Sequence, residues 1–283
     1  MQLQEIKNIF HIELDALYPR EEIDAFFYSM LEFYLGLERF VLVMQPNYTI
    51  SKEDEQLFFE GLTKLKEQKP LQYILGETQF MDLTLKVNEN VLIPRPETEE
   101  LVQWVIDGQA ERGQGLKMLD IGTGTGCIAI ALAKSLPNSK VYALDFSEKA
   151  LKVAEENAQL NNVEIELIHA DILDFNSAQS LEFDTIVSNP PYVRELEKDE
   201  IHNNVKKYEP HQALFVPDDN ALLFYKAIAK FSKKNLIEKG SLYMEINQYL
   251  GQETKSLFEE ENFKEVSLKK DIFGNDRMLK CLK

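Results

Sequence analysis

Cysteine is almost absent. Cys127 and Cys281 are the only two in 283 residues, too few for a disulfide framework or a zinc site, which fits a reducing cytoplasm. Basic residues are also scarce: 31 Lys and Arg face 48 Asp and Glu, a formal charge of −17. Broad nucleic-acid binding draws on many Lys and Arg contacts to phosphate, so this balance disfavours it. No stretch approaches the ~18–20 consecutive apolar residues of a membrane helix. The N-terminus, MQLQEIKNIFHIELD, lacks the basic region and apolar run of an export signal. His11, His169, His202 and His211 have neither metal-ligand spacing nor a nearby cysteine, so no metal is expected. What is present is ordinary for a soluble globular chain: 44% hydrophobic and 28% charged residues, enough to bury a core. At about 150 residues per domain, the length suggests two domains.

Residues 1–68 read as a helical module. Ile23, Phe27, Met30, Leu31 and Tyr34 recur at helical spacing, as do Phe58, Leu62 and Leu65. Ser51 followed by Glu53, Asp54 and Glu55 is a helix start, with a capping hydroxyl and acids near the positive end of the dipole. The aromatic stretch Phe26, Phe27, Tyr28, Phe33 and Tyr34 is read as core, with a docking surface as the alternative. Residues 69–95 change character: FMDLTLKV alternates like a strand and VNEN is turn chemistry, so a β-hairpin linker is expected. ETEELVQWVI then starts a helix, with Thr98 as the expected N-cap. From residue 116 strands and helices alternate to the C-terminus. This predicts, over 96–283, an α/β domain with a largely parallel sheet and helices on both faces. The last two strands, KEVSLKKD and DRMLKCL, are expected to pair antiparallel.

Three of the twelve glycines fall in Leu119-Asp120-Ile121-Gly122-Thr123-Gly124-Thr125-Gly126, between a buried strand and an apolar helix. There the backbone must turn sharply and approach a ligand closely. The spacing fails the G-x-G-x-x-G dinucleotide fingerprint, and no Walker lysine follows. Asp120 would repel a pyrophosphate but suits an amino group. Asp145, 23 residues after Gly122 at the end of the second strand, is placed to accept ribose hydroxyls. These features describe a nucleoside site without a phosphate cradle, as S-adenosylmethionine requires. Asp171, ending the third strand, would lie near the adenine or cap a turn. Cys127, opening the next helix, is read as a packing residue.

Ser188-Asn189-Pro190-Pro191-Tyr192 ends the fourth strand and would border the same crevice. An amide or amino NH2 held between Asn189 Oδ1 and the Pro190 carbonyl donates both hydrogens, and its nitrogen faces a third direction where a sulfonium methyl could sit. Tyr192 offers a flat face for a planar group. Such catalysis works by positioning and demands no strong general base. Ser188 has no His or acid at triad spacing.

These residues resemble those of the protein-(glutamine-N5) methyltransferases that modify peptide chain release factors, the PrmC/HemK family. The likeness runs through Pro70-Leu71-Gln72-Tyr73-Ile74-Leu75-Gly76, Phe80, Val91-Leu92-Ile93-Pro94-Arg95-Pro96-Glu97-Thr98-Glu99 and the glycine turn. It continues through ALDFS around Asp145, SNPPYV, Tyr208-Glu209-Pro210, Ala213-Leu214 and Asp276-Arg277. The resemblance implies a class I, Rossmann-like methyltransferase sheet, a small all-α N-terminal domain that recognises the release factor, and a hairpin linker. It implies that Gly122, Thr123, Gly124, Thr125, Gly126, Asp145, Asp171, Ile172 and Asn189 bind S-adenosylmethionine. Asn189, Pro190, Pro191 and Tyr192 would hold the glutamine of a Gly-Gly-Gln tip, with Asn189, Pro190 and Tyr192 serving catalysis. Where the family often has Asp-Trp, this chain has Asp171-Ile172, and where it often has Glu-Ile-Gly, this chain has Glu245-Ile246-Asn247. The expected product is N5-methylglutamine with S-adenosylhomocysteine, made by a cytoplasmic monomer without nucleic-acid or membrane partners. An N6-adenine methyltransferase shares the Asn-Pro-Pro-Tyr geometry, and a non-catalytic cofactor-binding scaffold is a third reading. Residues 1–70 carry a net −6 and 71–100 a net −4, so this acidic part is expected to attract a basic face on a protein substrate.

Overall fold

A computed structural model describes residues 1–109, 115–175 and 181–283. The chain forms two compact units, Met1–Gly76 with Asn203–Tyr208, and Glu77–His202 with Glu209–Lys283. The first begins with α1 (Leu3–Leu14), α2 (Arg20–Leu35), α3 (Val41–Met44), α4 (Lys52–Lys66) and α5 (Leu71–Leu75). Leu3, Ile6, Phe10 and Leu14 form one buried stripe on α1 and pack against Ile23, Phe27 and Met30 of α2 and Phe58, Leu62 and Leu65 of α4. Phe10 meets Phe27 edge to face at 5.6 Å, a favoured aromatic geometry. Ser51 caps α4 by accepting the Asp54 N–H at 3.0 Å. Of the aromatic stretch, Phe27 is buried, Phe26, Tyr28 and Tyr34 are half-buried, and Phe33 is exposed.

The second unit contains β1 (Glu77–Phe80), β2 (Leu83–Lys86), α6 (Pro96–Gln109), β3 (Lys117–Ile121), α7 (Cys127–Ser135), β4 (Lys140–Asp145), α8 (Glu148–Leu160), β5 (Glu166–His169), β6 (Phe183–Ser188) and β7 (Val193–Arg194). The short α9 (Asn203–Tyr208) belongs to the first unit, where Tyr208 donates its hydroxyl to the Glu67 carbonyl at 2.9 Å. Then come β8 (Phe215–Val216), α10 (Leu223–Asn235), β9 (Leu236–Glu245), α11 (Gly251–Glu260), β10 (Lys264–Lys270) and β11 (Asp276–Leu282). Seven strands form one sheet in the order β10-β11-β9-β6-β3-β4-β5. The five strands from β9 to β5 are mutually parallel, and β11 and β10 add antiparallel at one edge. Alternation along the strands feeds two cores. Met118, Val141, Ala143 and Val187 meet α6 and α7 on one face, while Leu119, Leu144, Ile186 and Leu242 meet α10 on the other. The strand order reverses between β3 and β6, and the crevice beyond their carboxyl ends is where ligands bind such sheets.

Four local expectations are corrected. The boundaries expected at 68 and 95 are replaced by one at Gly76: α5 continues the helical unit, and the hairpin packs on α8. There Asn157 Oδ1 accepts the Lys86 N–H at 2.6 Å while its Nδ2 donates to the Lys86 carbonyl at 3.0 Å. FMDLTLKV is not one strand, because Met81 turns the chain with φ +50° and donates its N–H to Glu99 at 2.7 Å. Thr98 lies inside α6, which begins at Pro96, a residue suited to the first helical position. The third strand stops at His169, and Asp171 caps a 3-10 turn, accepting the Leu173 N–H at 2.8 Å.

Candidate active site

At the carboxyl ends of the strands lies a cavity of about 300 Å3. In the parallel register Ile121 lies opposite both Ser188 and Leu144, which brings the glycine turn, the Asp145 corner and the Asn-Pro-Pro turn to one edge. Gly122, Gly124, Asp145, Asp171, Ile172 and Asn189 line the cavity. Gly122 and Gly124 have φ of +76° and +53°, and a Cβ on Gly124 would meet nothing within 4 Å. Gly126 serves packing instead: a Cβ there would come within 2.9 Å of Ile130 and 3.1 Å of Ala154.

The amides of this turn are already engaged. Gly122 and Thr123 donate to the Leu144 carbonyl, Gly126 to the Thr123 carbonyl, and Gly124 to Asp145 Oδ2 at 2.9 Å. With those donors spent, the turn is no phosphate cradle. Asp145 also accepts the Ser147 N–H at 2.9 Å. Burial pushes its carboxyl up, opposed by the backbone N–H groups of Ser147, Gly124 and Phe146 and by His169. A carboxylate has about four acceptor sites, so Asp145, which lines the cavity, keeps acceptor capacity for a ligand.

Thr123, Thr125 and Gly126, read as cofactor contacts, do not reach this cavity. Thr123 donates its hydroxyl to Asp120 Oδ2 at 2.6 Å, and Thr125 Oγ1 accepts the Cys127 N–H at 3.3 Å. Both threonines turn inward because the buried turn needs their polar atoms. Asp120, read as a partner for a ligand amino group, is likewise fully buried and off the cavity wall. Its Oδ1 takes no hydrogen bond among the described residues. Burial and neighbouring Asp145 push its carboxyl up to about 7, against the Thr123 hydroxyl. Cys127 is buried in the core, its thiol pushed up to about 12. Ser188 is buried too and donates to the Ile121 carbonyl at 2.7 Å, a link between β6 and β3.

A second cavity of about 50 Å3 is lined by Leu92, Arg95, Asn189, Pro190, Tyr192 and Val193, among others. It shares Leu92, Asn189, Pro190 and Ala213 with the first, so Asn189 and Pro190 stand between the two spaces. Asn189 Nδ2 donates to Thr98 Oγ1 at 3.0 Å, and Thr98 in turn donates to Glu245 Oε2 at 2.8 Å. Tyr192 donates its phenol to Glu245 Oε1 at 2.7 Å. Burial and the adjacent Glu245 hold the Tyr192 phenol well above its ordinary range, so it remains a donor. The outer wall is tied down by Glu209, which is buried and accepts from Arg95 Nη2 at 2.7 Å and from the Ile93 N–H at 3.2 Å. Asn247 donates to the Tyr192 carbonyl at 2.9 Å and to Glu197 at 2.8 Å, which anchors the exit of the Asn-Pro-Pro-Tyr turn.

Sequence reasoning did not join Thr98, Glu245, Glu209 and Phe146 to the site. Phe146 was legible as the aromatic after Asp145, and it lines the larger cavity while half exposed. Thr98 and Glu245 lie 147 residues apart, and no local pattern joins them.

A largely parallel sheet carrying this glycine turn, acidic corner and Asn-Pro-Pro-Tyr turn defines a methyltransferase. The residues fit a cofactor of the S-adenosylmethionine type, since the glycine turn leaves its ligand side open and Asp145 supplies the acceptor. A methyltransferase domain profile matches residues 112–263, and a PrmC N-terminal domain profile matches residues 13–76. The release factor glutamine methyltransferase of Flavobacterium psychrophilum is 53% identical over 99% of this chain and 99% of its own length. Its counterpart in Bacteroides thetaiotaomicron is 40% identical over 94% of this chain and 95% of its own. The chain belongs to the release factor glutamine methyltransferase family. Among solved structures, a methyltransferase from Pyrococcus furiosus aligns with a TM-score of 0.52 at 17% identity, covering 82% of this chain and 99% of its own. It shows the shared fold. Among the described residues, no helix is long and apolar enough to cross a membrane.

Proposed function

We propose that this chain transfers a methyl group from S-adenosylmethionine to the side-chain amide nitrogen of the glutamine in the Gly-Gly-Gln motif of class I peptide chain release factors, supporting translation termination. The observation that carries this reading is the place of Asn189 between two cavities with its NH2 committed to Thr98. Its Oδ1 is thereby left as an acceptor for a substrate NH2. The relatives named above are release factor glutamine methyltransferases, and the small cavity suits the end of one amide side chain.

Gly122, Gly124, Asp145, Asp171 and Ile172 would hold the cofactor in the larger cavity, with Asp145 accepting from ribose hydroxyls. Ile172 packs against the adenine without stacking on it. When bound, S-adenosylmethionine supplies an electrophilic sulfonium methyl. Asn189 Oδ1 and the Pro190 carbonyl take the two amide hydrogens and aim the nitrogen between the cavities, Pro191 stiffens the turn, and Tyr192 covers the amide plane. The nitrogen gains a methyl, whose bond to sulfur breaks to leave S-adenosylhomocysteine, and releases one hydrogen as a proton to water, so the residues act by orientation. The acidic first unit would dock the release factor. The enzyme would act as a cytoplasmic monomer with no nucleic-acid partner.

The test offers purified chain and labelled S-adenosylmethionine to a release factor, DNA or ribosomal RNA in turn. Label on the glutamine of the Gly-Gly-Gln tip is expected; label on nucleic acid alone would establish the adenine reading instead. Asn189→Ala should abolish transfer while leaving cofactor affinity nearly intact, and equal losses in both would refute the amide-holding role.

A further inference from the structure

Glu245 lines neither cavity and is 1% exposed, yet both of its oxygens are bonded to hydroxyls of the site. Thr98 reaches Oε2 at 2.8 Å and Tyr192 reaches Oε1 at 2.7 Å. A threonine hydroxyl has one proton to give. Because Thr98 gives its proton to Glu245, its oxygen can only accept from Asn189, and Nδ2 is the group at 3.0 Å. A carboxamide has two planar orientations related by a flip, and this arrangement selects one of them. Asn189 Oδ1 takes no hydrogen bond from the described residues in that orientation and is left as the acceptor on the cavity border.

We infer that Glu245 is a positioning residue for methyl transfer: its carboxylate sets the direction of every hydrogen bond in the relay Tyr192, Glu245, Thr98, Asn189, so that Asn189 offers an acceptor to the incoming NH2. The inference rests on the reading that Asn189 receives the substrate amide. Burial pushes the Glu245 carboxyl up, opposed by the Tyr192 and Thr98 hydroxyls and by Arg277 on the neighbouring strand β11, which is itself held by Asp271 at 3.2 Å and Gln248 at 3.3 Å. Without an acceptor at position 245, the acceptor that the relay still offers to the buried Thr98 proton is Asn189 Oδ1. That bond flips the amide and presents an NH2 to the substrate NH2, donor against donor.

This logic yields an outcome that a merely structural role does not. Glu245→Met keeps the bulk of the side chain and removes both acceptors. Its kcat should fall about 100-fold, the scale of losing one aligned hydrogen-bond partner at a reacting group, with S-adenosylmethionine affinity within about 2-fold of the parent. Thr98→Val alone frees the Asn189 amide without locking it the wrong way, so kcat should fall only about 10-fold. The double variant Glu245→Met/Thr98→Val should therefore be about 10-fold faster than Glu245→Met, because the hydroxyl that enforces the flip is gone. The orphaned Tyr192 phenol is common to both and cancels. A double variant as slow as Glu245→Met, or slower, overturns the inference, as does a loss of cofactor affinity in step with kcat. Should Glu245→Met fail to fold by circular dichroism, the pair Thr98→Ser and Thr98→Val decides: serine should restore most of the rate that valine loses, and equal rates refute the relay. Failure of the parent reading is seen separately, as an Asn189→Ala variant that still transfers methyl to glutamine.

Discussion

Asp120 offers a test of how the glycine turn is held. Its carboxyl is fully buried, is bonded through Oδ2 to the Thr123 hydroxyl, and has no partner for Oδ1 among the described residues. Burial first, and then Asp145, push its pKa up to about 7, from 3.8 in an ordinary environment. A raised carboxyl pKa means that the folded chain holds the proton more tightly than the unfolded one. The favourable contribution is complete below about pH 4 and is lost as pH rises to about 7. That rise is worth about 4 kcal/mol at most, at about 1.4 kcal/mol for each tenfold change in proton affinity. Roughly 2 kcal/mol of that falls between about pH 5.5 and 8, a window that stays above the isoelectric point of 4.8. Asp120→Asn can still accept from Thr123 but cannot titrate. Its buried NH2 adds a constant cost of about 1–3 kcal/mol, which drops out of the pH dependence. Urea unfolding of the whole chain can be followed by Trp104, the single tryptophan. It packs edge to face on Tyr243 at 5.5 Å and so reports the methyltransferase unit. The stability of the variant minus that of the parent should climb by about 2 kcal/mol across the window. A difference that stays flat with pH would refute the claim that a carboxylate is buried there at a cost.

Asp145→Ala should weaken S-adenosylmethionine binding by about 10-fold or more in calorimetry, the scale of hydrogen bonds to a charged acceptor; an unchanged affinity removes the ribose assignment. Raising the salt from about 0.05 to about 0.3 M should raise the release-factor KM with kcat unchanged, and a KM indifferent to salt would refute docking through the acidic residues 1–100. Cys127, buried with its thiol pushed up to about 12, should resist alkylation at about pH 8 until the chain unfolds. Fast labelling of that thiol in the native state would contradict the packing described here.

Local chemistry was legible in the sequence. The strand, glycine turn and helix around Gly122, the acid at Asp145, the rigid Asn-Pro-Pro-Tyr turn and the Ser51 cap each depend on residues a few positions apart, where φ preference, side-chain period and capping act directly. The antiparallel pairing of the last two strands was legible for the same reason. Other features depended on distant segments meeting. The hairpin joined the methyltransferase unit because Asn157 and Asn161 of the α8 region bind its backbone, and the helical unit drew in Asn203–Tyr208. Thr123 and Thr125 turned away from the cavity to satisfy buried polar atoms, although the sequence pattern placed them beside Gly122. The relay from Tyr192 through Glu245 to Thr98 and Asn189 spans three segments that only the sheet and α6 bring together. By itself the sequence determined which groups could do the chemistry. The tertiary structure decided which way they face, because a buried hydroxyl or amide takes its direction from partners that the chain reaches only by folding.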